Sequence, residues 1–204
     1  MEKGNSRCIY DAVSSNAAIL FFVGAVTIVI IRVLYVMYRS SNPPRPKSPR
    51  PLSTLIVLGS GGHTAEMMNL LSVLQEDRFK PRFYIAAATD NMSLQKARVF
   101  EDSLVQKAAT EVVGTAQFMQ IYRSREILCN GPGTCIPICA IAFIFKVLGV
   151  KWSSIFYVES IARVKRLSLS GLLLYKLHMA DQLFVQWPQL KSQYPRAHYV
   201  GRLM

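Results

Sequence analysis

The feature that most constrains this chain is a long apolar run near its N-terminus. Residues 17–31 contain no charged side chain, and the run continues past Arg32 to Tyr38. As a helix, residues 17–38 would be about 33 Å long at about 1.5 Å per residue, which matches a hydrocarbon layer of roughly 30 Å. Arg32 lies near one end of the run, where a long side chain reaches the lipid headgroups. The run therefore predicts a transmembrane helix over residues 17–38.

The alternatives to a membrane span are a buried core helix and a cleaved signal peptide. A signal peptide has a basic segment before its apolar run and small residues after it. Residues 1–16 instead carry two acidic and two basic side chains, and the run ends in bulky residues. Four basic residues and no acidic ones occupy positions 39–50. By the positive-inside rule, residues 1–16 are predicted to be outside or lumenal, and the chain after Tyr38 cytosolic.

The stretch that follows the apolar run is rich in proline and basic residues. Residues 43–51 contain five prolines and three basic side chains, which is typical of a semi-rigid linker close to anionic headgroups. We therefore assign residues 39–51 to a linker and residues 52–204 to one cytosolic domain. The chain has 204 residues, 51% of them hydrophobic, so it can bury a core and is not disordered.

After the linker, short β-rich runs alternate with amphipathic stretches. Strands are predicted at 52–58, 83–88, 118–122, 155–158 and 183–186, and helices at 64–74, 93–105 with Ser93 as N-cap, 136–148, 167–179 and from Trp187. This alternation is typical of a doubly wound α/β fold with a Rossmann-like parallel sheet.

One connection in this pattern is too short. Only seven residues separate Tyr122 from Asn130, whereas two parallel strands need a crossover of about a dozen residues or more. The sequence predicts either an antiparallel pair at this point or the absence of a helix and most of a strand.

A glycine-rich loop lies between the first predicted strand and the first predicted helix. Glycines let the backbone approach a ligand closely, and the amides of a helix N-terminus attract phosphate. A merely tight turn between strand and helix is the less favoured alternative, and His63 could serve proton transfer or structure. The candidate phosphate-binding or acceptor-binding residues are Gly59, Ser60, Gly61, Gly62 and Thr64 of this loop, with Asn130 and Gly131 of a later turn.

Thr64 occupies the position of the third glycine in the dinucleotide-binding fingerprint, which disfavours an anchored oxidoreductase. Glu159 follows a predicted strand, where it could bind a sugar or hold a loop. Cys129, Cys135 and Cys139 lack a fourth ligand at zinc spacing, so neither a metal nor a cofactor is predicted.

The second half of the domain is strongly basic. Residues 127–204 contain nine basic and two acidic side chains. The basic residues Lys146, Lys151, Arg163, Lys165 and Arg166 could contact phosphates. No nucleic-acid-binding motif accompanies them, so a membrane surface or a lipid diphosphate is the favoured partner.

Several segments together resemble a known family. They read LIVLGSGGHTAEMMNLL, ATDNMSLQK, IYRSRE, CNGPGTCIPIC, YVESIARV, LSLSG and VQWPQLK, followed by QYP and GR, in order over about residues 52–202. They resemble the membrane-anchoring subunits of the dolichol-pathway UDP-N-acetylglucosaminyltransferase. In that family a separate catalytic subunit acts with the anchor to add the second N-acetylglucosamine to dolichyl-diphosphate-N-acetylglucosamine.

The resemblance implies a fold similar to the N-terminal, acceptor-binding half of a GT-B glycosyltransferase, in the endoplasmic-reticulum membrane. His63 and Glu159 would then be catalytic, and UDP-N-acetylglucosamine would bind mainly to the partner. The C-terminal residues Tyr199, Val200, Gly201, Arg202 and Leu203 would dock that partner. A non-enzymatic membrane scaffold or receptor for a cytosolic partner is the alternative function.

The short connection departs from the family pattern. The resemblance implies a helix, and the strand that leads into the Asn-Gly-Pro-Gly turn, between Glu126 and that turn. Here Ile127 and Leu128 follow Glu126 directly, so roughly thirty residues are expected to be missing near 126–128. A dropped crossover exposes a sheet edge and apolar helix faces, which predicts a shortened, destabilised or inactive form.

Overall fold

The computed structural model describes residues 3–42, 52–107, 126–131 and 133–202. Its first element is the long helix α1 (Lys3–Ser41). Within the described chain, this is the one helix long and apolar enough to cross a membrane, over Asn16–Ser41. Its most apolar 18-residue window is not buried against the protein, whereas Val36 and Ser40 near its end are. The predicted apolar N-terminal helix is confirmed, and it extends beyond 17–38 in both directions.

In the described part of the domain that follows, six strands form one entirely parallel sheet. The strand order is β2-β1-β3-β4-β5-β6. The strands are β1 (Thr54–Val57), β2 (Arg82–Ile85), β3 (Glu126–Asn130), β4 (Ser154–Val158), β5 (Gln182–Val185) and β6 (His198–Tyr199). The predicted α/β fold with a Rossmann-like parallel sheet is confirmed.

Helices connect the strands and cover both faces of the sheet. They are α2 (Gly62–Val73), α3 (Asn91–Lys107), α4 (Cys135–Leu148), α5 (Leu169–Lys176) and α6 (Pro188–Gln193). Alternate residues of one strand serve different faces, as strand geometry requires. Leu55 and Val57 belong to the core cluster that contains α4, α5 and α6 residues, whereas Ile56 and Leu58 belong to the cluster that contains α2 and α3 residues.

The predicted strands and helices agree with these elements to within a few residues, with four exceptions. No strand was predicted at 126–130, where β3 lies, and the turn assigned from Cys129 onward begins later than predicted. The predicted strand at 118–122 lies outside the described residues. Ser93 is not the N-cap of α3: the Asp90 carboxylate accepts the Ser93 N–H at 3.1 Å, so Asp90 fills that role one residue before the helix. The two-residue strand β6 was not predicted, because it is too short to show a periodic pattern.

Neither interpretation of the short connection agrees fully with the described strands. The antiparallel reading is wrong, because β3 pairs in parallel with both β1 and β4. The strand before the Asn-Gly turn is not absent either, since Glu126–Asn130 forms it in full at the centre of the sheet. Glu126, the last residue of the Arg-Ser-Arg-Glu motif, is also the first residue of that strand.

The end of α1 packs against α4. Arg32 donates hydrogen bonds to the carbonyl oxygens of Val147 at 3.1 Å and Lys146 at 3.3 Å, at the C-terminus of α4. The Lys146 carbonyl also accepts the N–H of the C-cap residue Gly149 at 3.2 Å. The last carbonyls of a helix carry its negative end, so a guanidinium is well suited to them. Arg32 therefore contacts the domain at the C-terminus of α4, and its predicted contact with the lipid headgroups stays a prediction.

Candidate functional site

The glycine loop lies where β1 ends and α2 begins. Gly61 occupies the N-cap position with φ +60°, which favours glycine, and no side chain caps the helix. A Cβ atom at Gly61 or Gly62 would have no other atom within 4 Å, so the backbone here is open to a ligand. The positive end of the α2 dipole thus faces accessible space, which suits an anion.

Buried hydroxyls fix the inner side of this loop. The hydroxyls of Thr64 and Ser93 both approach the carbonyl oxygen of Gly59, and they lie 2.7 Å from each other. Thr64 is fully buried and Ser93 nearly so. Thr64 therefore holds the loop from its buried side, through the carbonyl of Gly59. Its predicted contact with the ligand stays a prediction.

A cleft of about 710 Å³ opens beside the loop at the carboxyl edge of the sheet. Its lining includes Gly59, Ser60, His63, Gly131, Arg163 and Ser168. A second cleft of about 410 Å³ shares His63, Gly131, Arg163 and Ser168, and adds Gly62, Glu66 and Glu159. The structure thus brings together the loop after β1, the turn after β3 and the loop after β4, as expected of a doubly wound sheet.

His63 lies where these clefts meet. Its side chain is 35% exposed, and Nδ1 lies 4.0 Å from Oε2 of Glu66, one helical turn further along α2. Gly131 packs against the ring: a Cβ at that position would lie 3.0 Å from Cε1 of His63. Gly131 also has φ +61°, so both space and backbone conformation require glycine.

Glu159 is fully buried at the end of β4. Oε2 accepts hydrogen bonds from the N–H of Ser168 at 2.9 Å and from its hydroxyl at 3.0 Å, and Oε1 accepts from the N–H of Ser160 at 3.2 Å. Burial raises the pKa of this carboxyl, while the Ser168 hydrogen bonds and the Arg163 charge oppose the rise. These contacts support the loop-holding role, and a catalytic role stays a prediction.

Asn130 closes β3 with its side chain almost completely buried. Neither Oδ1 nor Nδ2 has a hydrogen-bond partner among the described residues. An unpaired buried amide costs free energy unless a ligand or water satisfies it. The position is compatible with the predicted acceptor contact, although the side chain of Asn130 does not line either cleft.

The three buried cysteines, Cys129 of β3 and Cys135 and Cys139 of α4, lie in one core cluster between the sheet and α4. Sγ of Cys129 and Sγ of Cys139 are 3.8 Å apart, and hydrogen bonds with Cys135 and Cys139, together with burial, raise the pKa of Cys129. Across the described ranges, no group of three or more His, Cys, Asp and Glu side chains is arranged to hold a metal ion.

The predicted docking residues lie at the far end of the sheet from the glycine loop. Tyr199 belongs to the edge strand β6 and is 49% exposed, and Val200 is 42% exposed. Arg202 stacks its guanidinium 4.4 Å from the ring centre of Trp187, and Gly201 has φ +79°. Leu203 lies outside the described residues.

Two residues of the site escaped the sequence analysis. Glu66 was not predicted to belong to the site, although its spacing of three from His63 places both residues on one face of a helix. Ser168 caps α5 by accepting the Gly171 N–H at 3.0 Å, and the Ser-Leu-Ser pattern before an apolar helix was a signal for that cap.

The fold and clefts define a doubly wound α/β protein with a candidate anion-binding cleft at the carboxyl edge of its sheet. Comparison with known families narrows this class. The family model described as "Oligosaccharide biosynthesis protein Alg14 like" matches residues 54–128 and 126–203. The chain belongs to the Alg14 family.

Curated relatives cover nearly the same length. A human protein named UDP-N-acetylglucosamine transferase subunit ALG14 is 37% identical over 211 residues, which cover 89% of this chain and 95% of the relative. Proteins of the same name are 40% identical in Mus musculus, over 75% of this chain and 83% of the relative, and 34% identical in Yarrowia lipolytica, over 87% and 94%. No solved structure matches the chain significantly.

Proposed function

We propose that this chain is the membrane-anchoring, acceptor-binding subunit of a UDP-N-acetylglucosamine transferase. In this proposal it binds dolichyl-diphosphate-N-acetylglucosamine and recruits a cytosolic catalytic subunit to the endoplasmic-reticulum membrane. The catalytic subunit makes most of the contacts with UDP-N-acetylglucosamine, and the complex adds the second N-acetylglucosamine to the lipid-linked acceptor. Membership of the Alg14 family and the names of the curated relatives support the transferase assignment.

The observation that carries the acceptor-binding role is the cleft beside the glycine loop. It combines the uncapped N-terminus of α2 with the guanidinium of Arg163, and both favour a diphosphate over a neutral ligand. Its volume of about 710 Å³ falls within the usual range for small-molecule sites. In this proposal the domain corresponds to the N-terminal half of a GT-B glycosyltransferase, which binds the acceptor.

His63 is the group on this chain that can act as general base. In the proposed reaction its free ring nitrogen takes the proton of the acceptor hydroxyl. The hydroxyl oxygen attacks the anomeric carbon of the donor sugar, and the bond to the diphosphate of UDP breaks as UDP leaves. A positioned base of this kind typically contributes about 10²–10⁴-fold to the rate.

The proposed orientation places residues 1–16 in the lumen and the domain in the cytosol. The basic residues after α1 support it through the positive-inside rule. The partner is proposed to dock at Tyr199, Val200, Gly201, Arg202 and Leu203. The exposed aromatic and aliphatic side chains at 199 and 200 and the short parallel edge of β6 support this choice.

The test of the proposal is sugar transfer by the chain in complex with the catalytic subunit, in vesicles that contain the lipid acceptor. We expect His63→Gln to lower the transfer rate about 10²-fold or more without loss of partner co-purification. His178→Gln, at a partly exposed histidine after α5, is the matched control and should leave the rate unchanged. Equal rates for wild type and His63→Gln would refute the base assignment.

The same preparation distinguishes the non-enzymatic scaffold. A scaffold recruits the partner but has no affinity for the acceptor, so variants in the cleft would not change transfer. Deletion of residues 199–204 should abolish co-purification and transfer together. Transfer that survives this deletion would contradict the docking assignment.

We further propose that this chain lacks a crossover segment that its relatives contain. Residues 126–128 are matched twice by the family model, as the end of one segment and the start of the next. The human comparison spans 211 positions, more than the 204 residues of this chain. Glu126 also begins a central strand, with Oε2 buried and without a hydrogen-bond partner among the described residues, which is an unfavourable place for a carboxylate.

We expect a form with an inserted crossover segment to be more soluble and to recover more partner than this chain. The comparison uses equal expression of both forms and co-purification of the catalytic subunit. Equal solubility and equal recovery would refute the proposed loss.

A further inference from the structure

We infer that Glu66 is a positioning residue for His63, which it orients and holds in the tautomer that a general base needs. This inference rests on the proposed function of His63. Glu66 is a buried carboxylate on α2 with 5% of its surface exposed. A buried carboxylate needs partners, because desolvation of the charge is costly.

One oxygen of Glu66 has two partners. Oε1 accepts a hydrogen bond from the hydroxyl of Ser160 at 2.8 Å and from the N–H of Ile161 at 3.2 Å. Both donors belong to the loop after β4, so the carboxylate is fixed in orientation by a second part of the fold. The plane of the carboxylate therefore determines where its other oxygen lies.

That other oxygen faces His63. Oε2 has no hydrogen-bond partner among the described residues, and neither does Nδ1 of His63, 4.0 Å away. A small rotation of the ring, which is partly exposed, closes this separation to hydrogen-bond distance. Catalytic hydrogen bonds are often longer before the substrate binds. The two unpaired buried atoms are each other's available partners.

The consequence for the ring is a defined tautomer. A carboxylate oxygen can only accept, so Nδ1 must carry the proton, and the lone pair of Nε2 is left free for the acceptor hydroxyl. Gly131 contributes by leaving room beside the ring, since a Cβ there would lie 3.2 Å from Nδ1. Glu66 thus acts on the reaction only through His63.

The decisive variant is Glu66→Gln, which has nearly the same shape. Its amide oxygen still accepts from Ser160 and Ile161, but its NH₂ group then faces Nδ1 and can only donate. The ring is forced to carry its proton on Nε2, which removes the base. We expect the transfer rate of the complex to fall about 10²-fold or more, and Glu66→Asp, which keeps the charge, to recover part of it.

A readout independent of activity is the nitrogen NMR spectrum of the histidines in the full chain, labelled with ¹⁵N and held in lipid nanodiscs. The chain has three histidines, so His63 is assigned by comparison with His63→Gln. In alkaline buffer, where imidazole is neutral, we expect protonated Nδ1 in the wild type and protonated Nε2 in Glu66→Gln. His178 and His198 should not change.

The control variant is Ser160→Ala, which removes a hydrogen bond to Oε1 and leaves Oε2 in place. It should lower thermal stability without switching the tautomer. A wild-type ring protonated on Nε2, or the same tautomer in wild type and Glu66→Gln, would overturn the inference. A tautomer switch without any change in transfer would instead retain the positioning role and refute His63 as the base.

Discussion

At the scale of single residues, Gly131 and His63 form a pair that can be tested by their coupling. Gly131→Ala places a Cβ 3.0 Å from Cε1 of His63 at φ +61°, so the cost combines a contact with backbone strain of about 1–2 kcal/mol. In a His63→Ala background the contact disappears and only the strain is left. Thermal unfolding of the four forms should show that Gly131→Ala costs less in that background. An equal cost in both backgrounds would show that the ring does not limit this position.

Glu126 is a residue whose replacement should stabilise the chain. Burial raises the pKa of its carboxyl, with Arg78 as a weaker opposing charge, and Oε2 has no hydrogen-bond partner in the part of the chain that the structure describes. Glu126→Val suits a buried strand position and should raise the free energy of unfolding by about 1 kcal/mol at neutral pH.

Glu101→Gln is the matched control for that variant. Glu101 accepts from Arg82 at 3.1 Å and from the hydroxyl of Tyr84, so loss of its charge should destabilise the chain. Destabilisation by Glu126→Val as well, measured by chemical denaturation, would contradict the interpretation of Glu126 as a misplaced carboxylate.

Glu159 predicts a dependence of stability on pH. Because burial raises its pKa in the folded state above the ordinary 4.5, the folded chain binds this proton more tightly than the unfolded chain. The resulting stabilisation is complete below pH 4.5 and is lost as the pH rises through the higher, folded pKa. Glu159→Gln lacks this titration, so its melting temperature relative to wild type should increase from acidic to neutral pH. A constant difference would contradict the raised pKa.

At the scale of elements, one buried ion pair connects the anchor helix to the sheet. Nζ of Lys146 on α4 pairs with Oδ2 of Asp181, which also accepts the N–H of Ile155 in β4 at 2.7 Å. Nζ of Lys146 lies 3.4 Å from the hydroxyl of Ser40 on α1. Burial lowers the pKa of Lys146, and the charge of Asp181 opposes that shift. The pair thus holds α1, α4 and β4 in one arrangement.

Removal of one partner should be costly at this position. Asp181→Ala leaves the Lys146 charge buried without its carboxylate, and we expect a loss of about 3–5 kcal/mol in the free energy of unfolding. Asp102→Ala, at an exposed residue of α3, should change the free energy of unfolding by about 0.5 kcal/mol or less. Similar losses for the two variants would show that the ion pair does not connect the elements.

At the scale of the whole molecule, the sequence predicted most of the architecture because it depends on local patterns. Strands β1, β2, β4 and β5 and their helices were visible in apolar runs and glycine turns. The glycine loop and His63 were also found, since they follow a predicted strand, and Gly131 was found as part of a later turn; the three lie together at one edge of the sheet. The parallel fold made their proximity predictable.

Long-range partners were not predictable from those patterns. The Glu66 contacts with Ser160 and Ile161 join residues more than ninety positions apart. The Arg32 contacts with α4 join residues more than a hundred positions apart, so they were not predicted. The position of β3 between β1 and β4 was not predicted, because strand propensity does not determine which strands pair with each other.

The central claim is that the cleft of this chain binds a lipid diphosphate, and direct binding tests it most closely. The measurement is the affinity of the full chain in nanodiscs, without its partner, for a short-chain polyprenyl-diphosphate-N-acetylglucosamine. We expect the wild type to bind and Arg163→Glu to bind about tenfold or more weakly, because a charge that favours the diphosphate becomes repulsive. Lys176→Glu changes the net charge equally at an exposed position in the last turn of α5, and it should bind as the wild type does. Absence of binding by the wild type, or equal weakening by both variants, would contradict the claim.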